Sequence, residues 1–271
     1  MATIRQAVAY YLRKAHLLQF ADYLMFLGDV LKNRKPNQTF LNEHPEFIPP
    51  PTHLAYDAYN HTNWQSYYDM GLIHSKLISD LTKEYISENE IKICEWGCGP
   101  ARVIRHLHKI DGFEKIELLG TDYNEESVGW CEKYIKNARF VSNNLEPPLP
   151  IESELFDCVY AISIFTHLSE KLHYDWIEEL FRLIKPNGIL IFTTHGDISA
   201  KRLLPAEKEK YDSGCLVIKN QIKEGKKLFA AYHPPQWIKK KLLKNCVILK
   251  HINNAAKYQL EQEVWCAKKI S

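Results

Sequence analysis

Residues 91–102 read Ile91-Lys92-Ile93-Cys94-Glu95-Trp96-Gly97-Cys98-Gly99-Pro100-Ala101-Arg102. Alternating β-formers, Ile91 and Ile93, lead to an acid at Glu95 and then to two glycines one residue apart, Gly97 and Gly99. A helix over residues 101–109 is predicted to follow at once. A strand, a glycine turn and a helix N-terminus let backbone N–H groups approach a ligand, because glycine carries no Cβ to hold it off.

A dinucleotide fold asks for Gly-x-Gly-x-x-Gly, whose last glycine lets helix and strand pack closely. Counted from Gly97, that glycine should fall where the chain has Arg102. Arg102 and Glu95 therefore speak against a nicotinamide oxidoreductase. No Gly-Lys-Ser/Thr follows the turn, so a Walker loop is absent. What remains, acid-x-Gly-x-Gly, resembles the first motif of the class I S-adenosylmethionine (SAM) dependent methyltransferases, with Ala101 in place of the third glycine. The resemblance implies SAM-binding roles for Glu95, Gly97, Cys98, Gly99 and Arg102.

Residues 115–123 read as a second strand ending at Asp122, 23 positions after Gly99. A carboxylate at that tip can accept both hydroxyls of a ribose, and charge-assisted bonds are the stronger class. Tyr123 would cover the adenine face, and Asn124 caps the next helix ahead of Glu125 and Glu126. A third strand, 138–142, leads to a turn that, by the resemblance, offers a polar side chain to the adenine amino group, with Asn144 the candidate, beside Leu145. Residues 156–168 look like the family's fourth strand and the loop under the methionine part of SAM, with Ile162 at the contact. Lys185-Pro186-Asn187-Gly188 before the apolar strand 189–194 is another feature shared with these enzymes. Several landmarks in the family's order are more specific than any one of them.

The expected fold is therefore α/β, the Rossmann-like class I methyltransferase fold: a mainly parallel seven-stranded sheet with helices on both faces. It is expected to carry an N-terminal helical extension with a proline-rich connector (residues 1–50) ahead of a SAM-binding domain (51–271). A β-hairpin insertion is read at about 214–232, with strands at 215–218 and 228–230. A length of 271 residues with 45% hydrophobic content suits one main core. The seven cysteines are scattered without a Cys-x-x-Cys pair, which fits reduced thiols in a cytoplasmic protein better than disulfides or a zinc site. No segment reads as a membrane span or a signal peptide.

Net charge is only +2, but residues 1–41 hold six Arg or Lys against two Asp, and residues 219–250 hold nine Lys against one Glu. These basic ends read either as solvated helix faces or as contacts for an anionic partner, a phospholipid surface or a phosphorylated glycan. The acidic centre around the cofactor speaks against nucleic acid. Residues 2–33 read as two short amphipathic helices, around Ile4–Leu12 and over 17–31, that would dock on the core, pair two copies in a homodimer or lie on a membrane. The segment 56–68, dense in aromatic and polar side chains, either lies over the cofactor, as in the family, or packs against the N-terminal helices.

SAM carries its own activated leaving group, so the protein has mainly to align an acceptor. A hydroxyl acceptor must also lose a proton, and histidine is the residue suited to take it near neutrality. His167, His195 and His233 fall in loops at the expected ligand edge of the sheet. A divalent metal held by His167, His195 and Asp197 is the weaker alternative, and none is expected. His106 and His108, two apart on the first helix, read as surface residues. The Asn/Asp-Pro-Pro-Tyr motif of amino-group methyltransferases is missing after the fourth strand. The expected function is methyl transfer to a small molecule, sugar or lipid-linked glycan, at a hydroxyl oxygen. A catalytically silent SAM-binding scaffold is the alternative from another class. The C-terminal part, with His233-Pro234-Pro235-x-Trp237 and Gln262-x-Val264-Trp265, resembles a bacterial group of these enzymes linked to glycan or small-molecule biosynthesis.

Overall fold

The computed structural model of the chain describes residues 18–108, 112–219 and 223–269. Three helices come first: α1 (Leu18–Glu43), α2 (Thr52–Tyr59) and α3 (Trp64–Tyr85). Alternation then begins with β1 (Glu90–Trp96), α4 (Ile104–Leu107), β2 (Lys115–Asp122), α5 (Glu125–Tyr134), β3 (Arg139–Ser142) and β4 (Phe156–Ala161). It continues through α6 (Glu170–Leu183), β5 (Ile184–Thr194), α7 (Asp197–Ala200) and α8 (Pro205–Asp212). A small hairpin, β6 (Val217–Lys219) with β7 (Ala230–Tyr232), precedes α9 (Pro235–Trp237), β8 (Cys246–Ile252) and β9 (Glu263–Lys269).

The sheet runs β3-β2-β1-β4-β5-β9-β8. Strands β1 to β5 are parallel, and β9 enters antiparallel between β5 and β8. Every residue of β4 is buried, as expected for a strand covered on both faces. One core layer gathers Trp96, Trp176, Leu180, Phe192 and Trp265, the other Leu77, Ile78, Ile104, Val128 and Ile191. The first connection leaves β1 on one side and the chain returns to β4 on the other. A crevice therefore opens beyond the C-terminal ends of β1 and β4.

Local signals explain the boundaries. The Asn63 side chain accepts from Ser66 N–H and starts α3, and Asn124 accepts from Glu126 and Ser127 N–H to start α5. Along α6, Leu172, Trp176, Leu180 and Leu183 recur at helical spacing and are buried.

Several expectations need correction. The helix after the glycine turn is only Ile104–Leu107, because Gly97, Gly99 and Ala101 all hold left-handed φ values (+75°, +49° and +60°) and the chain is still turning at residue 103. His106 is buried: Gly71 lets α3 approach so closely that a Cβ there would lie 2.3 Å from Arg102 O and 2.8 Å from His106 Cδ2. The hairpin's second strand is Ala230–Tyr232, two residues later than read, pairing Val217 with Tyr232. The lysine-rich helix is a single short turn, Pro235–Trp237, passing into a π turn over Ile238–Leu242. Strand β5 starts at Ile184, with the Asn187 turn (φ +68°) bulging out of it. The first of the two N-terminal helices lies outside the described residues. The second is α1, which runs on through Pro36 to Glu43.

Candidate active site

Gly97 N–H and Cys98 N–H both donate to Thr121 O, at 2.8 and 2.9 Å, and Gly99 N–H donates to Asp122 Oδ2 at 2.7 Å. The turn is thus pinned to the end of β2. Its N–H groups are used up, so it is not the anion cradle that a strand, turn and helix suggest in sequence. What it offers instead is space, a bend without side chains suited to an uncharged group such as a nucleoside. Ile164 closes in from the loop after β4, and a Cβ on Gly97 would lie 2.2 Å from its Cδ1.

Gly97→Ala tests this fit. A left-handed φ costs a side chain about 1–2 kcal/mol, and overpacking against Ile164 adds about 1–3 kcal/mol. Urea unfolding of the alanine variant is expected to show a loss of about 2–5 kcal/mol, and an unchanged midpoint would contradict the fit.

Asp122 is 7% exposed, and its other oxygen, Oδ1, accepts from Asn124 N–H at 2.8 Å. Burial raises its carboxyl above the usual range and nearby Asp57 adds to that, while the N–H groups of Asn124 and Gly99 oppose both. Two adjoining hollows meet at Gly97, Asp122, Tyr123, Ile164, His167 and Gly225. One, of about 410 Å³, reaches past Asn143, Asn144 and Leu145 to Trp96 and Trp176. The other, of about 700 Å³, runs past Gly99 and Ile162 to Asp57, Tyr59, Asn60 and Ser163. Trp176 Nε1 donates to Leu145 O at 3.0 Å and sets the floor of the first. Asn143 Oδ1 is enclosed without a hydrogen-bond partner. The stretch around Gly225, ahead of β7, roofs the crevice: Gly225 N–H donates to His167 O at 3.0 Å and Tyr123 Oη donates to Gly225 O at 2.9 Å.

The sequence-derived candidates separate. Gly97, Gly99, Asp122, Tyr123, Asn144, Leu145, Ile162 and His167 line the hollows. Glu95 is buried behind the turn, where its Oε2 accepts from Ile104 N–H at 3.1 Å, and burial pushes its carboxyl up to about 8. Cys98 is buried with its Sγ against Gly99 O. Arg102 turns away, its guanidinium 3.9 Å over the Tyr59 ring.

Of the histidines, His167 donates from Nδ1 to Phe229 O at 2.8 Å. That bond fixes the tautomer and leaves Nε2 with the lone pair. Burial lowers its pKa. His195 bonds to Ala231 O at 3.2 Å and is not among the lining residues. His233 is fully buried, its Nε2 2.7 Å from Nε2 of His173. Among the described residues no group of three His, Cys, Asp or Glu could hold a metal ion, and Asp197 Oδ1 accepts the Tyr211 hydroxyl at 2.8 Å. The segment 56–68 divides: Asp57, Tyr59 and Asn60 face the crevice, whereas Trp64, Tyr67 and Tyr68 pack with Phe40 and Phe47.

Sequence reasoning passed over Trp176, Asn143, Ile164 and Gly225. Gly225 was visible only as a turn residue and Trp176 only as one of a helical apolar row.

Residues 94–192 match the model of a methyltransferase domain family. That stretch carries a methyltransferase domain, and the fold is the one found in SAM-dependent methyltransferases. The chain is 28% identical over 152 residues to a malonyl-[acyl-carrier protein] O-methyltransferase of Bacillus anthracis, covering 55% of this chain and 52% of that one. It is also 28% identical over 131 residues to a tRNA N(3)-methylcytidine methyltransferase of Schizosaccharomyces pombe, covering 46% and 42%. The chain thus spans about half the length of the curated relatives it matches. A TehB-like SAM-dependent methyltransferase from Corynebacterium glutamicum shares the fold, with TM-score 0.52 and 14% identity over 82% of this chain and all of that one. SAM is the family's cofactor. A glycine bend beside the β2 acid, and the two hollows that meet there, fit it.

The buried imidazoles have a cost in acid. Burial holds His74 down at about 3 and His173 at about 4, and His233 lies lower than the usual range for the same reason. All three are at most 2% exposed. The unfolded chain binds these protons near pH 6.5, so the native state loses stability as pH falls below about 6.5. Urea unfolding at pH 7.5 and 5.5 should differ by about 4 kcal/mol, about 1.3 kcal/mol for each imidazole. Equal stabilities would contradict the buried, neutral state of these rings.

Proposed function

We propose that the chain transfers the methyl group of SAM to a hydroxyl oxygen of a small molecule, sugar or lipid-linked glycan, with His167 as general base. The observation that carries this reading is His167 itself: it lines both hollows, and its Nδ1 is committed to Phe229 O, which leaves Nε2 free to take a proton. When bound, SAM supplies a sulfonium-activated methyl group. Asp122 keeps lone pairs beyond those used by Gly99 and Asn124 N–H, and these would accept the ribose hydroxyls. Asn143 Oδ1 would accept the adenine amino group, a role for which Asn144, more exposed at the same turn, also stands. Ile162 and Ile164 would support the methionine part. The acceptor enters past Asp57, Tyr59 and Asn60, and the Gly225 loop shuts out water.

Similarity to an O-methyltransferase supports oxygen as the acceptor atom, and similarity to a tRNA methyltransferase is the competing pointer. Incubating purified protein with SAM and a metabolite extract, and reading products by mass spectrometry, is expected to reveal a gain of one methyl on a hydroxyl compound. SAM bound with no methylated product would support the silent scaffold instead.

A further inference from the structure

Six of the eleven large apolar side chains left exposed among the described residues lie on α1: Phe20, Tyr23, Leu24, Met25, Leu27 and Leu31. Phe20, Leu24, Leu27 and Leu31 recur at helical spacing and form one stripe, 40–73% exposed. A Cβ on Gly28, which lies along it, would meet nothing within 4 Å. The face turned to the body sets polar anchors beside Phe26 and Phe40. Asp22 pairs with Lys227 at 2.9 Å, Asp29 Oδ2 accepts Thr62 N–H at 2.6 Å, Asn33 Oδ1 accepts Asn63 Nδ2 at 3.0 Å, and Asn37 Nδ2 donates to Thr62 O at 2.7 Å. The first part of the helix thus holds an apolar stripe outward, which a helix serving only its own core would not.

Charge selects the occupant. Both acids of α1 before Glu43 are consumed by inward partners, whereas Lys32, Arg34 and Lys35 stand exposed at the end of the stripe. A second copy packed in parallel would bring these cations against one another. An anionic bilayer would pair them with phosphate while the rings and leucines enter the headgroup boundary. The stripe spans about 17 Å along the axis, short for a stable isologous dimer and ample for a helix lying in an interface. We infer that α1 is an interfacial anchor that binds anionic phospholipid surfaces. The inference goes beyond the methyl-transfer reading and does not depend on it.

The test is co-sedimentation of the full chain with vesicles of phosphatidylcholine and phosphatidylglycerol, against vesicles of phosphatidylcholine alone. Partition onto the anionic vesicles is expected. Leu24→Glu with Leu31→Glu should lower it by about tenfold or more, and reversal of Lys32, Arg34 and Lys35 to Glu should lower it in a salt-dependent way. SAM titration of the same variants is expected to be unchanged, which shows them folded and separates this inference from the cofactor site. Absence of partition at low salt would overturn the inference. So would sedimentation velocity showing a dimer that the Leu24→Glu/Leu31→Glu variant dissociates.

Discussion

Asp122→Ala is expected to weaken SAM binding by about a hundredfold or more. A carboxylate that accepts two ribose hydroxyls contributes at least about 3 kcal/mol through charge-assisted bonds, which is about two decades in affinity. The alanine also releases Gly99 and Asn124 N–H, the anchors of the turn and of the loop ahead of α5, so the bend loses its shape along with its acceptor. Asp122→Asn separates these roles. It keeps the volume and one accepting oxygen but presents an amide N–H₂ to one of the two backbone donors, and a loss of about tenfold is expected. Because burial raises this carboxyl, affinity should fall on acidification at a higher pH than an ordinary aspartate would give. Isothermal titration calorimetry measures the affinities and circular dichroism checks the fold. Alanine and wild-type proteins with equal affinity would remove Asp122 from the nucleoside site.

Local pattern carried the sheet. Ile91 and Ile93 before the glycines, the acid at the tip of β2 and the Pro186-Asn187-Gly188 turn are all signals contained within a dozen residues. The first two mark strand ends, and the third marks the bulge near the start of β5. The insertion of β9 antiparallel between β5 and β8 has no such local signal.

What escaped reading depends on distance along the chain. Gly225 meets Tyr123 about a hundred positions away, and its own loop is only a turn by composition. Trp176 reaches Leu145 O across the β3–β4 connection, but in sequence it is one apolar position of α6 among several. The choice between Asn143 and Asn144 turns on which side chain the loop encloses, and adjacent asparagines carry no such signal. The α1 stripe was visible as an apolar row, yet its direction was not. Only Asp22, Asp29, Asn33 and Asn37 finding inward partners decides that the leucines face out. His233 fails as a crevice residue for the same reason, since its ring is claimed by His173, sixty positions earlier.

His167→Ala is expected to lower kcat by about 10²–10⁴, the range for losing a positioned general base, with SAM affinity changed far less. The alanine would also free Phe229 O and loosen the roof, so His167→Asn is the sharper variant. Its amide can still donate to Phe229 O but has no basic nitrogen, and it should show the same fall in kcat with the loop retained. Burial lowers the pKa of His167. The lone pair on Nε2 is therefore available at neutral pH and below, and kcat/KM should fall only as pH drops through a value under the usual one of about 6.5. In the asparagine variant that acid limb should vanish. His195→Ala, whose ring bonds to Ala231 O outside the lining of the crevice, is expected to keep its turnover. Rapid-quench measurement of methyl transfer at saturating acceptor separates chemistry from binding. Unchanged turnover in His167→Asn, with the acid limb intact, would assign the base elsewhere.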